Sequence, residues 1–224
     1  MFNSLFKEII CPNCKSNFEI KNIIKNKDNK ISSGELLCKR CNDIFYIKSG
    51  IPRFVKSDSY TDNFSFEWEK HSRTQLDIDK EYSKSTFFKV LGLDKKELEG
   101  IKVLDAGVGP GRFAYIPINN KSTFHGVDLS NAVIQAKNNY SNVSNAMFVQ
   151  TDLMKLPYPE HYFDFIYSIG VLHHTPNPKL SFLSLVKHLK PGGSIAINVY
   201  NKGALLYEYA KRLRKYSVNI NHNI

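Results

Sequence analysis

The stretch "VLDAGVGPGRF", residues 103–113, decides the fold. An apolar start that runs into Gly107, Gly109 and Gly111 and resumes at Arg112 and Phe113 reads as a strand, a glycine-rich turn and a helix start. Missing side chains at those three positions let a ligand lie against the backbone. Dinucleotide proteins and many inert turns share this pattern, so its neighbours must discriminate. Asp105 would set negative charge beside a pyrophosphate, and Pro110 removes a backbone donor from the loop that would cradle one. A ligand with a cationic centre and no phosphate fits better.

Downstream, "TFHGVDL" (123–129), "AMFVQTDL" (146–153), "FDFIYSIG" (163–170) and "GSIAINVY" (193–200) are strand-like. Helix-like "SNAVIQAKNNY" (130–140) and "KLSFLSLVKHLK" (179–190) alternate with them. That alternation predicts an α/β fold with a Rossmann-like, doubly wound, mostly parallel sheet. Ligands of such sheets bind outside the carboxyl ends of the strands. S-adenosylmethionine suits the rim so formed, because it carries a sulfonium, an ammonium, a ribose diol and an adenine. Asp128 can accept from both ribose hydroxyls, and Asp152 from the adenine amino group, with Leu153 and Met154 as apolar cover. Any one of these aspartates could be a helix cap; three on consecutive strand ends point to a ligand.

"GVLHHTPNP" (170–178) follows the fourth strand. His173 and His174 are candidate general bases for an acceptor that must lose a proton. A loop cap or packing against the cofactor remains open for both. A metal pair is disfavoured, because no carboxylate or third ligand stands at useful spacing.

All four cysteines fall in "CPNCK" (11–15) and "CKRC" (38–41). Two such pairs predict one tetrahedral Zn²⁺ held by Cys11, Cys14, Cys38 and Cys41, structural because four thiolates leave no open position. "FEI" (18–20), "GELLC" (34–38) and "IFYIKSGIPRFV" (44–55) read as short strands around it, with "SGIP" as a turn. Three parts follow: a zinc ribbon over 1–57, a helical connector or lid over 58–100, and the cofactor-binding domain over 101–224. In the connector, "KSTFFKVLGLD" (84–94) predicts an amphipathic helix ended by Gly92. His71 and Arg73 could close over a cofactor carboxylate or lie on a solvated helix face, and Trp68 reads as an anchor to the core. His125 reads as structural.

The net charge of +10 invites a nucleic-acid partner, but 25 of the 31 basic residues are lysine and the chain holds 21 asparagines, which suits a solvated surface. No segment interleaves dense arginine with aromatics; "KRLRK" (211–215) is a local basic cluster. The longest apolar run, "FDFIYSIGVL", is half the length of about 20 residues that a membrane-spanning helix needs. The N-terminus lacks the pattern of a signal peptide, so the expected location is cytoplasmic.

From about residue 100 to 200 the chain resembles a class I S-adenosylmethionine-dependent methyltransferase of the type that includes the ubiquinone and menaquinone methyltransferases. "VLDAGVGPGRF", "GVDLS", "TDLMKLPYPEHYFDFIYSIGVLHHTPNP" and "HLKPGGSIAINVY" stand in that family's order and spacing. The resemblance implies a cofactor set of Asp105, Gly107, Gly109, Gly111, Asp128, Leu129, Asp152 and Leu153, with Arg73 as a further candidate. It implies a methyltransferase but does not fix the acceptor, since that family acts on small metabolites, lipids, RNA and protein; the leading expectation is a small molecule such as a sugar or lipid-linked intermediate. Two alternatives stay open: a ribbon scaffold with a degenerate methyltransferase domain, and an RNA methyltransferase. Residues 1–57 separately resemble the small zinc-ribbon protein that activates tRNA and translation-factor methyltransferases, which implies docking or stabilisation. The family's last two strands are missing from the pattern after "GALLYEYAKRLRKYSVNI" (203–220), a predicted helix, so two expectations stay open: a C-terminally truncated chain, or a fifth strand covered by that helix, a partner or a second copy.

Overall fold

The computed structural model describes residues 5–27, 29–55 and 81–199. Four strands come first: β1 (Phe18–Lys25), β2 (Ile31–Cys38), β3 (Ile44–Lys48) and β4 (Ile51–Arg53). They pair antiparallel in chain order. Along β2, Leu36 and Cys38 are buried while Glu35 and Leu37 are less so, the alternation of a sheet with one covered face. The turn expected at "SGIP" lies between β3 and β4, where Ser49 and Gly50 take φ of 53° and 73°, matching the twist of a tight hairpin.

Helix α1 (Glu81–Leu91) follows, and Gly92 ends it at φ 64° with its N–H donating to Phe88 O. Then come β5 (Lys102–Ala106), α2 (Tyr115–Asn119), β6 (Thr123–Asp128), α3 (Ala132–Asn139), β7 (Ala146–Gln150), β8 (Phe163–Ile169), α4 (Pro178–Val186) and β9 (Leu189–Asn198). Helix α4 starts where Asn177 accepts from the Leu180 N–H and Pro178 presets the first turn. Strand β7 is buried at all positions, as expected of a parallel strand covered on both faces.

The strands form one sheet in the order β1-β2-β3-β4-β7-β6-β5-β8-β9. From β5 the chain steps to β6 and β7, then crosses back to β8 and β9, so the winding reverses between β5 and β8. That reversal opens the crevice where such sheets bind ligands. The ribbon joins by a parallel pairing of β4 with β7: Arg53 stands opposite Gln150, and Phe54 N–H donates to Gln150 O at 2.8 Å. Strand β9 ends the order among the described residues. The predicted helix over 203–220, the basic cluster at 211–215, Trp68, His71 and Arg73 lie outside the described residues.

Each face has its own core. Leu5, Phe6 and Ile9 pack with ribbon residues Leu36 and Ile47, with Leu104, Val127 and Met147, and with Leu185 of α4. On the other face Phe87 of α1, Ile116 of α2 and Val133 of α3 pack with Val103, Phe148 and Tyr167. At the amino end of β5, Glu8 meets Lys102 at 3.6 Å and His125 at 3.4 Å, and accepts from the Tyr162 hydroxyl. Burial raises the Glu8 carboxyl, but the His125 and Tyr162 hydrogen bonds and the Lys102 charge outweigh it and hold the group at about 2. The reading of His125 as structural agrees with its full burial and its contact with Tyr158 Oη.

Ile51 belongs to the ribbon by sequence yet is fully buried in the core of Phe87, Val103 and Phe148. Ile51→Ala should cost about 2–5 kcal/mol. In urea, far-UV circular dichroism and hydrogen exchange at β2 should report one coincident transition at a lower midpoint, showing that ribbon and parallel strands unfold together.

Candidate functional site

The rim is built from the ends of β5, β6, β7 and β8. After β5 the backbone turns through Gly107 (φ 105°), Gly109 (φ 51°) and Gly111 (φ 88°). A Cβ on Gly107 would stand 2.3 Å from the Val171 side chain, so glycine lets the loop after β8 close against this turn. A Cβ on Gly111 would meet Tyr140 at 2.8 Å, whereas one on Gly109 would meet nothing within 4 Å, which leaves that position open to a ligand. The donors of this turn are spent internally. Gly107 and Val108 N–H both donate to Val127 O, Gly109 N–H to Asp128 Oδ2 at 2.8 Å, and Gly111 N–H to Val108 O; Pro110 has none. A pyrophosphate needs such donors aimed outward.

Asp105 ends the buried part of β5, 4 % exposed, directly opposite Tyr167 of β8. Burial pushes its carboxyl up to about 8; the facing Tyr167 hydroxyl works the other way, and the Asp128 charge adds to the rise. Tyr167 is itself wholly buried, with no hydrogen bond of ordinary geometry at its hydroxyl among the described residues. A buried carboxyl held neutral in this way is restored to its charge by a cation, the converse of what it would do for a phosphate.

Asp128 ends β6, half-buried, and burial pushes its carboxyl up against the opposing hydrogen bonds. Its Oδ1 accepts from Ser130 N–H at 2.8 Å and Ser130 Oγ at 2.7 Å, and Oδ2 from Gly109 N–H. The Leu129 N–H adds a further contact, so the neighbouring backbone and Ser130 fix the orientation of the Asp128 carboxyl at the rim. Asp152 caps the short turn after β7, its Oδ1 accepting from Met154 N–H at 2.8 Å and its Oδ2 left for another donor. Leu129 is half-buried on the rim. Leu153 turns into the core while Met154 is 43 % exposed, so of the two Met154 faces outward.

His173 and His174 lie on a single turn, Leu172–His174, after β8, their ring centres 4.1 Å apart. His173 is half-buried and His174 exposed. Burial, and then the His174 charge, lower the His173 imidazole, so it is neutral at pH 7 and able to accept a proton. Among the described residues the four cysteines are the one grouping of side chains suited to a metal. Their sulfurs lie within 4.8 Å of one another, with Cys14–Cys38 at 3.3 Å and Cys11–Cys41 at 3.6 Å. Tetrahedral Zn²⁺ with bonds of about 2.3 Å needs sulfur separations of roughly 3.8 Å, so the set fits with small adjustment.

Gln150, Asn131 and Arg53 are rim residues that the sequence reading passes over. Gln150 is fully buried at the end of β7, and its amide holds Leu129 O at 3.1 Å and Asn131 Oδ1 at 3.3 Å. A polar residue closing the apolar run "AMFVQ" is the signal that could have found it.

Removing the Asp105 charge should stabilise the fold while weakening the site. Between about pH 4 and 8 the folded chain binds a proton at Asp105 that the unfolded chain has lost, so wild-type stability falls as pH rises. Asp105→Asn should therefore show a Tm advantage over wild type that grows from pH 5 to 8. It should also gain less Tm than wild type from added S-adenosylmethionine.

Residues 104–197 match the family described as "Methyltransferase domain". A phosphoethanolamine N-methyltransferase of Plasmodium falciparum is 34% identical over 130 residues, covering 54% of this chain and 48% of that protein. A tRNA (carboxymethyluridine(34)-5-O)-methyltransferase of Arabidopsis thaliana is 38% identical over 104 residues, covering 45% and 24%. The chain thus spans about half or less of the length of the curated relatives it matches. A solved structure from Methanococcus maripaludis, described as a candidate S-adenosyl-L-methionine-dependent methyltransferase, superposes with a TM-score of 0.52 at 19% identity, covering 72% of this chain and 74% of that one, a likeness of fold. Over residues 104–197 the chain is thus similar to methyltransferase domains in sequence, and its parallel sheet has their fold.

Proposed function

We propose that this chain transfers a methyl group from S-adenosylmethionine to a small-molecule acceptor. The observation that carries the cofactor reading is the glycine turn, whose donors all point inward beside the buried carboxyl of Asp105. When bound, S-adenosylmethionine supplies a methyl carbon activated by its sulfonium. Methyl transfer is an in-line displacement, so the protein's task is to position the partners and exclude water. Asp105 would face the cationic end, Asp128 would accept from the ribose, and Asp152 from the adenine amino group. Arg73, at the cofactor carboxylate, is a further candidate. His173, neutral and half-buried, would take the proton from an acceptor that must lose one, with His174 at its side. Cys11, Cys14, Cys38 and Cys41 would hold Zn²⁺ as a structural staple for the ribbon over 1–57; the cofactor domain runs from 101.

The phosphoethanolamine relative supports a small acceptor. The tRNA relative supports a second reading, an RNA acceptor. Labelled-methyl transfer into a cell extract lacking the protein, fractionated into small molecules, lipid, RNA and protein, separates them: label in the first two supports the first reading, label in RNA the second, and none overturns both.

Asp128→Ala should weaken S-adenosylmethionine binding by about tenfold or more in calorimetry, since it removes a charged acceptor. Equal binding by a folded variant removes Asp128 from the site. With the acceptor in hand, turnover should fall only below the ordinary imidazole range, because a lowered His173 stays deprotonated to more acid pH. His173→Ala should lose that acid limb and most of kcat at unchanged cofactor affinity. The purified chain should carry one zinc per molecule by elemental analysis, and a Cys38→Ser variant less.

A further inference from the structure

Arg53 sits at the end of β4, the ribbon strand that joins the parallel sheet, and its Nη1 donates to Gln150 Oε1 at 3.0 Å and reaches Asn131 Oδ1 at 3.5 Å. Gln150 is closed off from water, so its amide must find partners inside the protein. Arginine only donates and the Leu129 carbonyl only accepts, so together they allow one orientation of that amide: oxygen toward Arg53, nitrogen toward Leu129. If Arg53 were absent the amide could turn over, presenting its oxygen to the Leu129 carbonyl and expelling it. Leu129 directly follows Asp128, and Asn131 opens helix α3 on the other side of Ser130, which holds Asp128 Oδ1. Arg53 therefore grips, directly and through Gln150, the residues on both sides of Ser130, whose N–H and hydroxyl hold the carboxylate read as the ribose acceptor.

We infer that Arg53 is a positioning residue through which the ribbon sets the affinity of the rim for the adenosine part of the cofactor. This rests on the reading of the rim as an S-adenosylmethionine site. The role belongs to one nitrogen, since Nη1 makes both contacts while Nε lies buried without a hydrogen bond among the described residues. A lysine ammonium can replace that nitrogen, and a methionine of similar length cannot.

The test measures dissociation constants of S-adenosylhomocysteine for the full chain by calorimetry, with ligand-free hydrogen exchange over residues 129–132 alongside. Arg53→Met should weaken binding about tenfold, the scale of one charge-assisted hydrogen bond, and speed exchange across 129–132. Arg53→Lys should return both within about threefold of wild type. In a Gln150→Leu background, Arg53→Met should add less than about threefold, because only the 3.5 Å contact with Asn131 is left to lose. Ile47→Val, a mild core substitution in the same ribbon, should lower Tm and leave both readouts unmoved. Binding by Arg53→Met within about twofold of wild type, or an equal loss in Ile47→Val, overturns the role of Arg53. A wild-type chain that binds no S-adenosylhomocysteine instead overturns the reading of the site itself.

Discussion

A parallel strand buried at every position cannot be left with a bare edge, and β7 is such a strand. Its inner side pairs with β6 over all of its length. Its outer side is met by β4, three residues long, through Arg53, Gln150 and the Phe54 N–H. Around that short seam the ribbon ceases to be an appendage, because its Leu36 and Ile47 fill the core under β6 and β7 and its Ile51 fills the core on the other face. The end of β7, the turn after β6 and the start of α3 then have a fixed frame on which to place Asp128 and Asp152.

The two ends of the parallel strands carry opposite electrostatic solutions. At the amino end Glu8 is kept ionised by Lys102, His125 and Tyr162, a paired charge that fastens the N-terminal segment to the sheet. At the carboxyl end Asp105 meets no cation among the described residues and is held neutral by burial. A carboxyl buried in this way costs stability. The glycine turn completes the design by turning its N–H groups inward, so the mouth of the crevice offers acceptors and open backbone surface in place of anion-binding donors.

The parallel sheet was legible because each strand is an apolar run cut off by a rim signal: Asp105 and the glycines, Asp128, Asp152, and the histidine pair. The cysteine spacing likewise announced a cluster that the structure brings together within 4.8 Å. Pairing between distant segments was not legible. Nothing in "GIPRF" says that its arginine will find Gln150, because a three-residue strand carries no periodicity and its partner is chosen by the whole sheet. The commitments of Asp128 and Leu153 were hidden for a related reason: a side chain's neighbours decide whether it faces ligand or core, and residue type alone left both open.

The seam between β4 and β7 also orders events during synthesis. Arg53 and Gln150 are 97 residues apart, so the ribbon leaves the ribosome long before the edge it will join exists. Over that interval β4 offers an unpaired backbone and Ile51 an uncovered side chain, and the hairpins of β1 to β3 must hold on local contacts alone. A metal bound early by the four thiolates would protect the nascent ribbon during this wait, giving the cluster its greatest value before the parallel sheet is complete.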